Sequence, residues 1–186
     1  MSVYVIGAGA IGTLVSSSLT KSLKVNFIVR NANKLTNLAK SNNCFTIKRL
    51  YDNEKIMHYK INNAFTVDQI PDSNIDFLLI CVKTFDTIKS LTPILDKINN
   101  KTRILLIQNG MGVVDELYST LWKKNEDRPT IYQGVISHGI WQAPEDANTY
   151  NYNHAGFGDL KICEIPRDLK HITDNKIIEK DEIINN

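Results

Sequence analysis

The run Val3-Tyr4-Val5-Ile6-Gly7-Ala8-Gly9-Ala10-Ile11-Gly12 restricts the fold more than any other part of the chain. Four apolar, β-favouring residues enter a G-x-G-x-x-G turn, and a helical pattern starts inside it at Ile11, Leu14, Val15 and Leu19. Each glycine has a separate role in a dinucleotide-binding turn. Gly7 permits the tight reversal, Gly9 lets the backbone approach a pyrophosphate, and Gly12 lets the helix lie close to the strand. The helix N-terminus adds unpaired N–H groups and a partial positive charge. An ordinary glycine turn needs neither the strand before it nor the helix after it, so the context favours a dinucleotide site.

The run Lys24-Val25-Asn26-Phe27-Ile28-Val29 then completes a βαβ unit, and Arg30 follows it directly. At this point an Asp or Glu would bind the ribose 2′-hydroxyl of NAD, whereas Arg suits the 2′-phosphate of NADP. No carboxylate occurs between Gly12 and Asp52. The plainer alternative is a solvated charge at a strand end.

Asn33 to Ser41 has a helical pattern, and the alternating runs Cys44–Ile47 and Ile56–Ile61 suggest a hairpin or two edge strands. The continuous apolar run Ile75–Val82 reads as a parallel strand buried on both faces, with Lys83 at its carboxyl end, where ligands of open α/β sheets bind. Ile88, Leu91, Ile94, Leu95 and Ile98 continue as helix, interrupted at Pro93. The buried run Arg103–Ile107 ends in Gln108-Asn109-Gly110-Met111-Gly112 and a further helix through Val113, Val114, Leu117, Leu121 and Trp122. Asn109 there can both donate and accept hydrogen bonds. Thr130–Ser137 is another strand. Thr149–His154 and Asp159–Cys163 read as an antiparallel pair joined through Ala155-Gly156-Phe157-Gly158.

A formal charge of +2 with dispersed lysines argues against nucleic acid as a partner. No apolar run approaches the roughly 18 to 20 residues of a membrane span. Cys44, Cys81 and Cys163 lack C-x-x-C spacing, so they read as buried or incidental thiols rather than a disulfide frame or metal site. A strand that begins near residue 3 leaves no room for a leader, and a cytoplasmic location is expected.

In their order along residues 1–165, these blocks resemble the N-terminal, NADP-binding half of ketopantoate reductases (2-dehydropantoate 2-reductases). The resemblance runs through Gly7 to Gly12, Arg30, Cys81-Val82-Lys83-Thr84-Phe85-Asp86 and Gln108-Asn109-Gly110-Met111-Gly112. It closes with Gly134, His138-Gly139 and His154-Ala155-Gly156-Phe157-Gly158. It implies an α/β, Rossmann-like, doubly wound and mostly parallel sheet with a C-terminal antiparallel extension. It also implies NADPH-dependent reduction of the ketone of 2-dehydropantoate to pantoate, for pantothenate and coenzyme A synthesis. Gly7, Ala8, Gly9, Ala10, Ile11 and Gly12 would hold the pyrophosphate, and Arg30 and Lys83 the 2′-phosphate. Asn109 would sit near the nicotinamide and position the substrate or the catalytic lysine.

In the family that lysine comes from a second, all-helical domain. Residues 166–186 are expected to be only its truncated start, and Lys170, Lys176 and Lys180 take no such role. His138 and His154 are expected to be turn and strand histidines bonded to backbone, and His58 a polar strand position. The chain is therefore expected to be a fragment holding the cofactor half of the site, with self-association through the face left by the second domain. A non-catalytic NADP(H)-binding module and a reductase of another 2-keto acid stay open as alternatives.

Overall fold

In the computed structural model, which describes residues 1–71, 73–108 and 110–168, the fingerprint forms strand β1 (Ser2–Ile6) and helix α1 (Ala10–Leu19). There follow β2 (Lys24–Ile28), α2 (Ala32–Lys40), β3 (Cys44–Arg49), β4 (Lys55–Lys60) and β5 (Asn63–Phe65). Next come β6 (Phe77–Ile80), α3 (Thr87–Leu91), β7 (Arg103–Ile107) and α4 (Val113–Thr120). The described chain ends with β8 (Thr130–Ile136), β9 (Gly139–Trp141), β10 (Asn151–Gly156) and β11 (Leu160–Ile165). Pro93 ends α3 as expected: it cannot donate to a helical ladder, and the chain continues as a 3-10 turn over Thr92–Lys97.

Seven strands form one sheet in the order β11-β8-β7-β6-β1-β2-β5. All neighbours are parallel except β11, which runs antiparallel along β8 from Leu160 opposite Ile136 to Ile165 opposite Ile131. From β5 to β8 this is the order of a dinucleotide-binding sheet, whose winding reverses between β1 and β6. Alternation along the central strands supplies both faces. Ile6, Leu78, Ile80, Ile104 and Leu106 pack with Leu91, Ile94, Val113 and Leu117 of the α3–α4 side. Val3, Val5, Phe27, Leu79, Leu105 and Ile107 enter the opposite core, against which Ile11, Leu14 and Val15 of α1 pack. Each such fully buried aliphatic side chain contributes about 1.5–3 kcal/mol.

The second core is closed by another sheet, of four strands in the order β4-β3-β10-β9. Its inward residues Phe45, Ile47, Tyr150 and Tyr152 share that core, and Phe45 stacks between Phe27 and Tyr59 at ring separations of 6.1 and 5.3 Å. The expected β3–β4 hairpin forms here, with Cys44 opposite Lys60. The expected pairing of Thr149–His154 with Asp159–Cys163 is overturned. β10 lies parallel to β3 and antiparallel to β9, while β11 joins the other sheet. Alternation marks a segment as a strand without naming its neighbour. The free edge of β8, and the inward tyrosines Tyr150 just before β10 and Tyr152 within it, draw the two segments apart. Gly156-Phe157-Gly158 is thus a crossing between sheets, not a hairpin turn. Among the described residues no helix is long and apolar enough to cross a membrane.

Candidate functional site

The winding reversal opens a crevice at the carboxyl ends of β1 and β6, and the glycine turn fills its floor. Cys81 N–H donates to the Ile6 carbonyl at 2.8 Å, which holds the two strand ends together. Gly7 turns there with φ +94°, and a Cβ on it would lie 2.7 Å from the Cys81 carbonyl carbon and 2.8 Å from Val82 N. A Cβ on Gly12 would collide with the Gly7 carbonyl and crowd Cys81 Cβ at 3.3 Å. Only hydrogen fits at either position. Burial against this packing pushes the Cys81 thiol up to about 12, so it is an inert packing group rather than a nucleophile.

Gly9 behaves differently: a Cβ there would meet nothing within 4 Å, because the backbone faces open space. Gly9 is also the N-cap of α1, with no side-chain capping bond and no acid in the first helical turn. The exposed N–H groups and the positive end of the helix are left for an anion.

The space in front is a cleft of about 590 Å³, within the range of small-molecule and cofactor sites. Its walls come from five places in the chain, one of them Val67 in the turn after β5. The turn contributes Gly7, Ala8 and Gly9. The β2–α2 junction contributes Val29, Arg30, Asn31 and Lys34. The segment after β6 contributes Val82, Asp86 and Lys89, and β10 with the segment that joins it to β9 supplies Gln142, Tyr150 and Tyr152. Asn31 caps α2, its side chain accepting from Lys34 N–H at 3.1 Å, so Arg30 is held at the mouth of the cleft. Arg30 and Lys34 have no carboxylate partner among the described residues. The cradle and its charge fit the phosphates of a dinucleotide.

Of the residues that the sequence singled out, Gly7, Ala8, Gly9 and Arg30 line this one cleft. Ala10 and Ile11 begin α1 beside the turn, and Gly12 packs behind it; none of the three lines the cleft. Lys83 is exposed just past Val82 and also stands outside the lining; its carbonyl accepts Asp86 N–H at 2.9 Å. Asn109 and the tail lysines lie outside the described residues. Next to Asn109, Gln108 and Thr87 share a side-chain hydrogen bond at 3.0 Å.

Sequence reasoning missed the wall formed by Tyr150 and Tyr152. The Tyr152 hydroxyl donates to the Ala8 carbonyl at 3.0 Å, and the Tyr150 hydroxyl to the Lys34 carbonyl at 3.2 Å. Burial raises both phenols above their ordinary value, so both stay neutral donors; the Thr13 side chain partly offsets the shift at Tyr152. The alternation Tyr150-x-Tyr152 was a visible sign of two inward residues, but their destination depended on the second sheet.

A family model described as ketopantoate reductase PanE/ApbA matches residues 3–167. The chain belongs to the ketopantoate reductase family. It is 32% identical over 189 residues to the 2-dehydropantoate 2-reductase of Saccharomyces cerevisiae, covering 99% of this chain and 48% of that one. It is 31% identical to a probable 2-dehydropantoate 2-reductase of Schizosaccharomyces pombe, covering 95% and 51%. The fold is shared with a probable 2-dehydropantoate 2-reductase of Bacillus subtilis, with a TM-score of 0.70 at 20% identity over 92% of this chain and 53% of that one. The chain therefore spans about half the length of the curated relatives it matches. Ketopantoate reductases are NAD(P)-dependent oxidoreductases, in agreement with the cleft.

The two histidines of the family-like blocks form a chain of contacts away from the cleft lining, with His154 buried and His138 half-buried. Gly158 N–H donates to His138 Nδ1 at 3.2 Å, which makes that nitrogen an acceptor. His154 Nε2–H then donates to it at 3.0 Å, and the Tyr51 hydroxyl donates to His154 Nδ1 at 3.0 Å. His138 has the backbone bond expected of it, and His154 has one at Gly156 beside its two side-chain partners. His58 is exposed on β4, as a polar strand position should be.

Proposed function

We propose that this chain is the cofactor-binding half of an NADPH-dependent 2-dehydropantoate reductase acting in the cytoplasm. Residues 1–165 form that half and 166–186 lead into the helical half. The carrying observation is that Arg30, without a carboxylate partner among the described residues, lines the same cleft as the open Gly9 turn.

Ala8, Gly9 and the first N–H groups of α1 would bind the pyrophosphate, with Gly7 and Gly12 shaping the turn beneath them. Arg30 and Lys83 would hold the 2′-phosphate, and Asn109 would orient the substrate ketone beside the nicotinamide. The bound nicotinamide supplies hydride chemistry, while the protein supplies orientation and electrostatics. The substrate class, a small 2-keto acid, follows from the names of the relatives and from the length of chain that matches them.

Calorimetric titration should show NADPH binding at least about tenfold tighter than NADH, roughly 1.4 kcal/mol. Purified chain alone should reduce 2-dehydropantoate poorly. Co-expression with the carboxyl half of the yeast relative should raise turnover. Binding of NADPH without turnover in either setting would favour a non-catalytic NADP(H)-binding module. Turnover of a different 2-keto acid alone would move the substrate assignment.

A further inference from the structure

We propose that Lys34 is a specificity-determining residue, whose ammonium joins the Arg30 guanidinium around the 2′-phosphate of the adenosine ribose. The inference rests on the reading of the cleft as an NADPH site and adds a cation that the sequence pattern does not single out.

Lys34 stands four residues beyond Arg30, in the first turn of α2, and both side chains line the cleft. Its ammonium is drawn toward the facing wall, where it donates to the Ala147 carbonyl at 3.1 Å in the segment between β9 and β10. It also stands 6.0 Å from the ring centre of Tyr150, the residue whose hydroxyl bonds the Lys34 carbonyl. Two hydrogen bonds from the segment between β9 and β10 thus hold one lysine, by its backbone and by its head group, at the cleft wall that Arg30 shares.

A neutral carbonyl is a weak partner for an ammonium compared with a phosphate dianion. The ammonium has three donors and one is engaged, so it can keep Ala147 while it meets the phosphate. Among the described residues Asp86 is the only carboxylate in the cleft lining, and it comes from the segment after β6, while Arg30 and Lys34 sit together at the β2–α2 junction. NADH presents a hydroxyl at this place and gains little from a second cation there. Lys83 is exposed outside the lining, whereas Lys34 shares the cleft wall with Arg30.

The test titrates the full chain and its K34M and K34R variants with NADPH, NADH, adenosine 2′,5′-bisphosphate and 5′-AMP. Folding of each variant is verified by thermal melting, and K34Q replaces K34M if the latter does not fold. K34M should weaken NADPH and the 2′,5′-bisphosphate by about tenfold or more, leaving NADH and 5′-AMP within about twofold. K34R should keep most of the preference. If the unaltered chain prefers NADPH and K34M leaves that preference intact, the role of Lys34 is overturned while the NADPH reading stands. If the unaltered chain shows no such preference, both fall, and the wild-type titration alone reveals it.

Discussion

The Tyr152 hydroxyl donates to the carbonyl oxygen of Ala8 at 3.0 Å, tying strand β10 of the second sheet to the middle of the glycine turn. The turn is therefore supported on both sides, by Cys81 beneath Gly7 and Gly12 and by a phenol above Ala8. Y152F keeps the ring packing and removes the donor. It should destabilise the protein by about 1 kcal/mol, read as a lower midpoint in urea with an unchanged slope. An unchanged midpoint would mean that the bond contributes nothing net.

Gly9 and Gly12 should respond oppositely to alanine. G12A forces a methyl against the Gly7 carbonyl and should cost about 1–3 kcal/mol or more of stability. G9A meets open space, so stability should stay within about 0.5 kcal/mol while NADPH affinity falls, because the methyl enters the cleft. Denaturation and titration of both variants check the pair. Equal stability losses would contradict the geometry.

R30D places a carboxylate at the mouth of the cleft, where it would repel a 2′-phosphate and could accept from a ribose hydroxyl. NADPH affinity should drop by about tenfold or more, with NADH unaffected or improved. Parallel losses for both cofactors would remove Arg30 from the phosphate site.

His154 should make stability depend on pH. Burial lowers its pKa below the ordinary 6.5; His138 and Arg49 lower it further, and a backbone bond at Gly156 acts the other way. Folding therefore favours the neutral ring. Its contribution is fully present above about pH 6.5, where the unfolded chain also carries a neutral histidine. It is lost as pH falls from there toward the folded-state pKa, with a slope of at most about 1.4 kcal/mol per pH unit. Thermal melts between pH 8 and 5 should show this loss in the native chain and a flatter profile in H154Q. Identical profiles would assign the pH dependence to other groups.

Much of the cofactor side was legible because its signals are local. A strand, three spaced glycines and a helix occupy one short segment, and the position of Arg30 follows from the end of the next strand. The buried runs Ile75–Val82 and Arg103–Ile107 disclosed parallel strands because apolar residues on both faces require cover on both faces. The pairing of β10 and β11 was not legible, since period-two alternation is the same whichever strand lies alongside. Nor was the meeting of Lys34 with Ala147 and Tyr150, which are more than a hundred positions away along the chain.

By itself the sequence determined the glycine turn, the helix that starts from it and the cationic strand end that follows. These depend on backbone conformations and side-chain charge within a few residues. Only the tertiary structure decided that a second sheet covers the turn, that Tyr152 bonds Ala8, and that Lys34 is held at the cleft wall beside Arg30. Those contacts depend on how distant strands satisfy their edges and bury their inward faces, and that is settled when the two sheets pack around a common core.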